Sequence, residues 1–379
     1  MKFHVMTLGF TCSKNQILLS RIILLLLVAA YPFSLPAQQR IDSINFADVD
    51  SFAMSVQYNG DIGKLSKDLT SPYVEDIYKA RAIFRWITAN IDYDYRFANS
   101  GKEITIPECD YYDDPTRDCV GELKVWENNY IRKVLTRKKA IADGYAKLFK
   151  KLCDINFIQC EVISGYARTK PYQVGNSMPV NHSWNAIMID ADWYYVDVTW
   201  ASGYCPEDEE TGRLLKYVRE FKNYYWLQPF SIFSRNHYPK KGYFVEPTNL
   251  SKEQFFLKPH YYSADILENI TEASPATGVV KVKKGDTIHF KFNFRKEINQ
   301  VQLNSNVFRN PSLWTTVQVS RKKTKLVRDT WAEKKQQYIP FKHQGNEYAF
   351  DYVVTENSLY YLDLIFDYKQ AIRYRVRVE

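Results

Sequence analysis

Apolar residues recur at helical spacing through the first half of the chain and in short β-type runs through its last third. Between Tyr78 and Ile91, the residues Ala82, Ile83, Trp86, Ile87 and Ile91 form one stripe at a 3.6-residue period. That pattern predicts an amphipathic helix running into Asp92-Tyr-Asp-Tyr95. Lys138–Leu152 repeats the pattern, with Ile141, Tyr145, Leu148 and Leu152 on one face and lysines between them. Shorter helices are expected near Asp48–Val56 and over Trp126–Thr136. After Leu152 the pattern turns to strands at Cys160–Ala167, Ser183–Ile189 and Trp193–Thr199, with Asp190-Ala-Asp192 as a hairpin turn between the last two. Helices followed by antiparallel strands predict an α+β domain.

Beyond about residue 262 the spacing shortens. Val279–Val282, Thr287–Phe294, Gln300–Leu303, Thr315–Val319, Gln337–Phe341, Glu347–Val354, Leu359–Phe366 and Ala371–Val378 are β-type runs, each bounded by turn or charged residues. They predict an immunoglobulin-like β-sandwich, although no cysteine lies past Cys205 to supply the Cys…Trp…Cys spacing of a true immunoglobulin domain. The expected organisation is a leader over 1–37, a lead-in segment over 38–75, an α+β domain over 76–260 and the sandwich over 262–379.

Composition changes this picture in three places. Residues 1–37 read as a signal peptide: Lys14 and Arg21 precede the run Ile22–Ala30, and Ser34-Leu-Pro-Ala37 offers a small-residue exit. The apolar run is about nine residues, where a bilayer span needs about 20. The chain is therefore expected to be secreted, periplasmic or held at the cell surface, with no integral membrane segment once the leader is removed. The leader contains three basic residues and no acid, so the net charge of +8 becomes +5 after it. Five cysteines then remain, Cys109, Cys119, Cys153, Cys160 and Cys205. Export would permit pairs such as Cys109–Cys119 or Cys153–Cys160, and an odd count leaves at least one over. The acidic stretch Glu108, Asp110, Asp113, Asp114 and Asp118 fits no calcium-loop spacing and reads as a surface loop. No phosphate-binding glycine loop, zinc-type cysteine spacing or dinucleotide fingerprint occurs. Neither nucleic acid, a metal nor a cofactor is expected.

Three stretches carry the candidate chemistry: Ala142-Asp-Gly-Tyr-Ala146, Asn181-His-Ser-Trp-Asn185 and Trp193-Tyr-Tyr-Val-Asp-Val-Thr-Trp200. In order and spacing they resemble the core of the transglutaminase-like superfamily, a papain-related cysteine fold. The resemblance implies a nucleophile at the start of the Asp143-Gly-Tyr-Ala146 helix, a base at His182 and an orienting acid at Asp197. A thiol at a helix start beside a histidine ionises easily, because the helix dipole and the imidazolium both favour the thiolate. Here the nucleophile position is Ala142, and a methyl group cannot attack a carbonyl. Losing a triad nucleophile costs roughly a million-fold in turnover.

Substitutes are few. Cys153 returns to nearly the same helix face but about 16 Å further along the axis. Ser183 follows His182 on a strand and points to the other face. Cys205 alone is left open. The resemblance also makes Tyr145, Trp184 and Trp200, the aromatics flanking these positions, the expected binding residues of the cleft. The reading is a secreted, catalytically impaired pseudoenzyme that binds polypeptide or a cell-envelope ligand. One alternative is an active cysteine protease or acyltransferase whose nucleophile is displaced to Cys205 or replaced at Ala142. The other is a cell-surface structural module.

Overall fold

The computed structural model describes residues 41–108, 117–208, 210–240, 250–320 and 323–379. The proposed leader, Cys109 and most of the acidic stretch lie outside them. From Phe46 onward the chain forms one compact unit.

That unit opens with α1 (Ala47–Ser55), α2 (Ile62–Thr70) and α3 (Asp76–Asn90). Arg81 of α3 is only 3% exposed and must be paired to stay charged. Its Nε and Nη2 each donate to the Asp50 carboxylate of α1 at 2.7 Å, and Nη1 donates to Asn223 Oδ1 at 2.7 Å. Residues from Phe46 are thus part of the domain, not a lead-in to it. The sequence pattern missed α2. Its start is fixed by Asp61, which accepts a hydrogen bond from the Lys64 backbone N–H.

The helix expected over Trp126–Thr136 is longer, α4 (Cys119–Arg137). It ends where Lys138 turns left-handed at φ 51°. Lys139 and Ala140 then pair in parallel with Asp92 and Tyr93, so the next helix, α5 (Ala142–Ile155), starts four residues later than the apolar pattern suggests. Gly144 is required there, because a Cβ would meet Ala140 Cβ at 2.8 Å and Tyr130 Oη at 2.9 Å.

Behind α5 stands an antiparallel sheet of β1 (Cys160–Ala167), β2 (His182–Ile189), β3 (Asp192–Val196) and β4 (His237–Pro239), in the order β3-β2-β1-β4. Asp190 and Ala191 close the β2–β3 hairpin with φ of 51° and 69°, as a two-residue primed turn demands. The strand expected to run through Thr199 stops at Val196. Asp197 instead caps α6 (Val198–Ser202), accepting from the Trp200 backbone N–H at 2.9 Å.

The last third is a sandwich of two sheets. The first carries β6 (Ile270–Ser274), β8 (Thr287–Phe294), β13 (Glu347–Val353) and β12 (Lys342–Gln344) in the order β6-β8-β13-β12. The second carries β7 (Val279–Val282), β15 (Lys369–Val378), β14 (Tyr361–Phe366) and β9 (Val301–Ser305) in the order β7-β15-β14-β9. Phe290, Phe292, Tyr348, Phe366 and Tyr374 fill the space between. A further hairpin, β10 (Trp314–Ser320) with β11 (Lys323–Arg328), belongs to neither sheet. The run Gln337–Phe341 makes only a bridge from Tyr338 to Gln302, and pairing resumes at β12. The boundary near 260 is not a free linker. β5 (His260–Tyr261) already pairs with β15, and Arg375 of β15 donates to Asn176 Oδ1 at 2.6 Å.

Candidate active site

The site forms where α5, β2 and α6 come together. Helix and strand run the same way. Asn185 Nδ2 donates to the Ala146 carbonyl at 3.0 Å, one turn into α5. Further along, the Cys153 thiol lies beside that of Cys160, which sits across from Ile187. Followed backwards, α5 leads to Ala142 and β2 leads to His182 at the same end of the sheet. Tyr93 arrives there as well: it pairs with Ala140, and burial, then the nearby Cys205, Asp94 and Asp197, push its phenol up to about 12.

His182 and Asp197 meet as the resemblance implied. Nε2 of His182 lies 2.7 Å from Asp197 Oδ2, and both side chains are buried. A second histidine joins them. His237 of β4 is wholly buried and places its own Nε2 3.1 Å from the same oxygen. Burial alone would raise the Asp197 carboxyl. The charge and hydrogen bond of His182 and the hydrogen bond from His237 outweigh it, holding the group well below the ordinary carboxylate range. Burial pushes His237 down from 6.5 to about 4 against the pull of Asp197, so it is neutral at pH 7. The other nitrogen of His182, Nδ1, has no hydrogen-bond partner among the described residues.

Aromatic rings enclose the cluster. His237 stacks on Phe233 at 4.1 Å between centroids, and Trp200 lies 5.1 Å from the His182 ring and 4.6 Å from His237. Of the three aromatics expected to bind ligand, only Trp200 keeps an exposed face. Tyr145 is fully buried and donates to the Ile91 carbonyl at 2.7 Å, and Trp184 is 1% exposed beneath both histidines. These two build the floor of the site. Ala142 is also buried, with a methyl group where the resemblance places sulfur.

Among the described residues no cysteine belongs to the cluster. His182, Asp197 and His237 bring their donor atoms within 4.8 Å of one another, and Cys205 is not among them. Its thiol is pushed up to about 11 by burial, with no cation to oppose the shift. We read the trio as a hydrogen-bonded cluster and not a metal centre, since both rings converge on one oxygen at hydrogen-bond distances.

A groove of about 440 Å³ opens beside the start of α5. Trp126, Tyr130, Lys133 and Arg137 line it from α4, Ile104 from the preceding loop, and Ile141 from the residue before Ala142. Trp126 and Tyr130 stack at 5.4 Å, and Trp126 Nε1 donates to the Thr105 carbonyl at 2.9 Å.

Residues 60–205 match the family model described as a transglutaminase-like domain. Residues 60–205 are therefore a transglutaminase-like domain. The chain is similar to the Kyphoscoliosis peptidase of Mus musculus, 27% identical over 266 residues that cover 68% of this chain and 35% of the relative. It is also similar to Hillarin of Drosophila melanogaster, 28% identical over 210 residues that cover 52% and 22%. The chain spans about a third or less of the length of these curated relatives. Among solved structures it is similar to a TGase, 12% identical over 52% of this chain and 41% of that one, with a TM-score of 0.25. Within the transglutaminase-like core, His182 and Asp197 were legible from their motifs. His237 was not, because the segment Phe233–Pro239 sits 40 residues past Asp197 and carries no spacing that marks a site.

Proposed function

We propose that this transglutaminase-like chain is an exported pseudoenzyme that holds polypeptide in the cleft at the start of α5 without cleaving it. The observation that carries the reading is the methyl of Ala142 at the head of α5 beside a complete His182–Asp197 pair. A helix start still offers free backbone N–H groups, and Nδ1 of His182 still offers a polar ring atom. Such a cleft can hold an extended peptide by its backbone. The adjoining groove supplies apolar area at Trp126, Tyr130 and Ile141, and positive charge at Lys133 and Arg137. Carbohydrate of the cell envelope is the second ligand class such stacked aromatics suit.

The purified chain, incubated with casein and a fluorescent amine and with peptide libraries, should capture peptides and release them intact. Trp126→Ala should weaken capture about tenfold, a loss of ~1.4 kcal/mol. Amine incorporation or cleavage that disappears in His182→Ala would refute the reading. Labelling of Cys205 by a thiol probe at neutral pH would favour the active-enzyme alternative. Its raised thiol and its absence from the histidine cluster speak against that outcome.

A further inference from the structure

We propose that His237 and Asn236 are positioning residues that fix Asp197, and through it the tautomer of His182, by a chain of hydrogen bonds running in from the buried side. The inference concerns the site itself and holds whether or not the cleft takes a peptide. It starts from a conflict of lone pairs. His237 Nδ1 lies 2.7 Å from Asn236 Oδ1, and His237 Nε2 lies 3.1 Å from Asp197 Oδ2. A neutral imidazole has one N–H and one lone pair. If the N–H sits on Nδ1 and faces Asn236 oxygen, the Nε2 lone pair faces a carboxylate oxygen at 3.1 Å, with no water able to intervene around a fully buried ring.

Three arrangements remove the conflict. A second proton on His237 does so, but an imidazolium there is opposed by total burial and by neighbouring His182. A cation between the rings would do so too, but both rings already reach the same oxygen at hydrogen-bond distance. The third needs only rotation of the Asn236 amide. Asn236 nitrogen then donates to Nδ1, Nε2–H donates to Asp197, and every group is satisfied. The phenol of Tyr225 lies beside Asn236 and, after that rotation, is placed to donate to the amide oxygen at the outer end. The other titratable groups facing Asp197 are the phenols of Tyr93 and Tyr225, both held in the neutral form by burial.

The consequence reaches the cleft. Asp197 Oδ1 is taken by the Trp200 N–H and Oδ2 by two ring N–H groups, so the carboxylate is anchored from three sides. His182 must give Nε2–H to it, so Nδ1 is the ring nitrogen turned to the side from which a thiol would have come.

Nitrogen-15 spectra of the unaltered full chain at pH 7 test this. The expected result is an Nε2–H on both His182 and His237, each with a low-field ring proton, and a neutral ring at His237. In His237→Phe one low-field proton should vanish and that of His182 should move further downfield, because Asp197 Oδ2 is no longer shared. His237→Gln, which restores a neutral donor, should return it towards its original position. A purely structural His237 would change stability and leave the His182 proton where it was. An Nδ1–H tautomer or a doubly protonated His237 in the unaltered chain would overturn the proposal, and that arm decides the matter even if His237→Phe fails to fold. So would a His182 proton unmoved by His237→Phe.

Discussion

At the scale of the residue, a charged carboxylate survives full burial because its acceptor positions are occupied. Asp197→Asn removes the charge and turns an N–H towards ring N–H groups that need an acceptor. The expected loss is ~3–5 kcal/mol, the usual effect of stripping one partner from a buried charged cluster, read as a shift in the urea midpoint. An unchanged midpoint would mean that the cluster is solvated. The buried histidines also set a pH dependence. Burial lowers His237 from 6.5 to about 4, and burial with the nearby Arg168 and Arg373 lowers His260 from 6.5 to about 3. The unfolded chain takes up these protons at about 6.5 and the folded chain does not. Their contribution is therefore complete above pH 6.5 and is lost as pH falls towards 4, at up to about 1.4 kcal/mol per pH unit for each histidine. Urea unfolding at pH 7.5 and pH 5 should show the lower midpoint at pH 5, and equal midpoints would contradict both shifts. His182 and Asp197 were readable because each sits inside a distinctive string, Asn-His-Ser-Trp-Asn and Val-Asp-Val-Thr-Trp. Tyr93 and His237 were not, since their roles arise only when Ala140 and β4 are brought alongside.

At the scale of the element, the site depends on how closely two strands approach. Gly165 of β1 lies opposite His182 and opposite Pro239. A Cβ there would meet the Tyr238 carbonyl at 2.3 Å and Trp184 Cη2 at 2.4 Å. Gly165→Ala should force β4 outward, taking His237 from Asp197, at a cost of ~1–3 kcal/mol. Loss of the His237 low-field proton together with that destabilisation would bear this out, and full stability in Gly165→Ala would count against it. Periodicity placed α3, α5 and the β2–β3 hairpin well, because each buries one clear face. It misplaced the start of α5, because the Lys139-Ala140 pairing with Asp92-Tyr93 depends on a distant partner. It carried β3 too far for a related reason. Val198, Thr199 and Trp200 have strand-forming character, but the Asp197 cap turns them into a helix.

At the scale of the whole molecule, the transglutaminase-like core and the sandwich are tied by backbone as well as side chains. β5 adds to the second sheet through β15, and Arg235 donates to the Leu267, Ile270 and Thr271 carbonyls, the first of these at 3.1 Å. Arg168, buried, donates to the carbonyls of Phe255 and Lys258. Thermal unfolding of the full chain should therefore be one transition, and two resolved transitions would show that the parts fold independently. The sheet-rich character of the last third was readable from the change of period near 262. The depth of this union was not, because isolated arginines give no sign of the carbonyls they will meet.

On the proposed reading, the machinery around position 142 is intact and lacks only its sulfur. The most direct test restores the sulfur: Ala142→Cys in the full chain, with the rate of alkylation by iodoacetamide followed against pH. The restored thiol should ionise well below the ordinary value of about 8.5, with the shift abolished in Ala142→Cys/His182→Ala. A thiol that titrates at or above 8.5, indifferent to His182, would show that His182 and Asp197 do not serve that position.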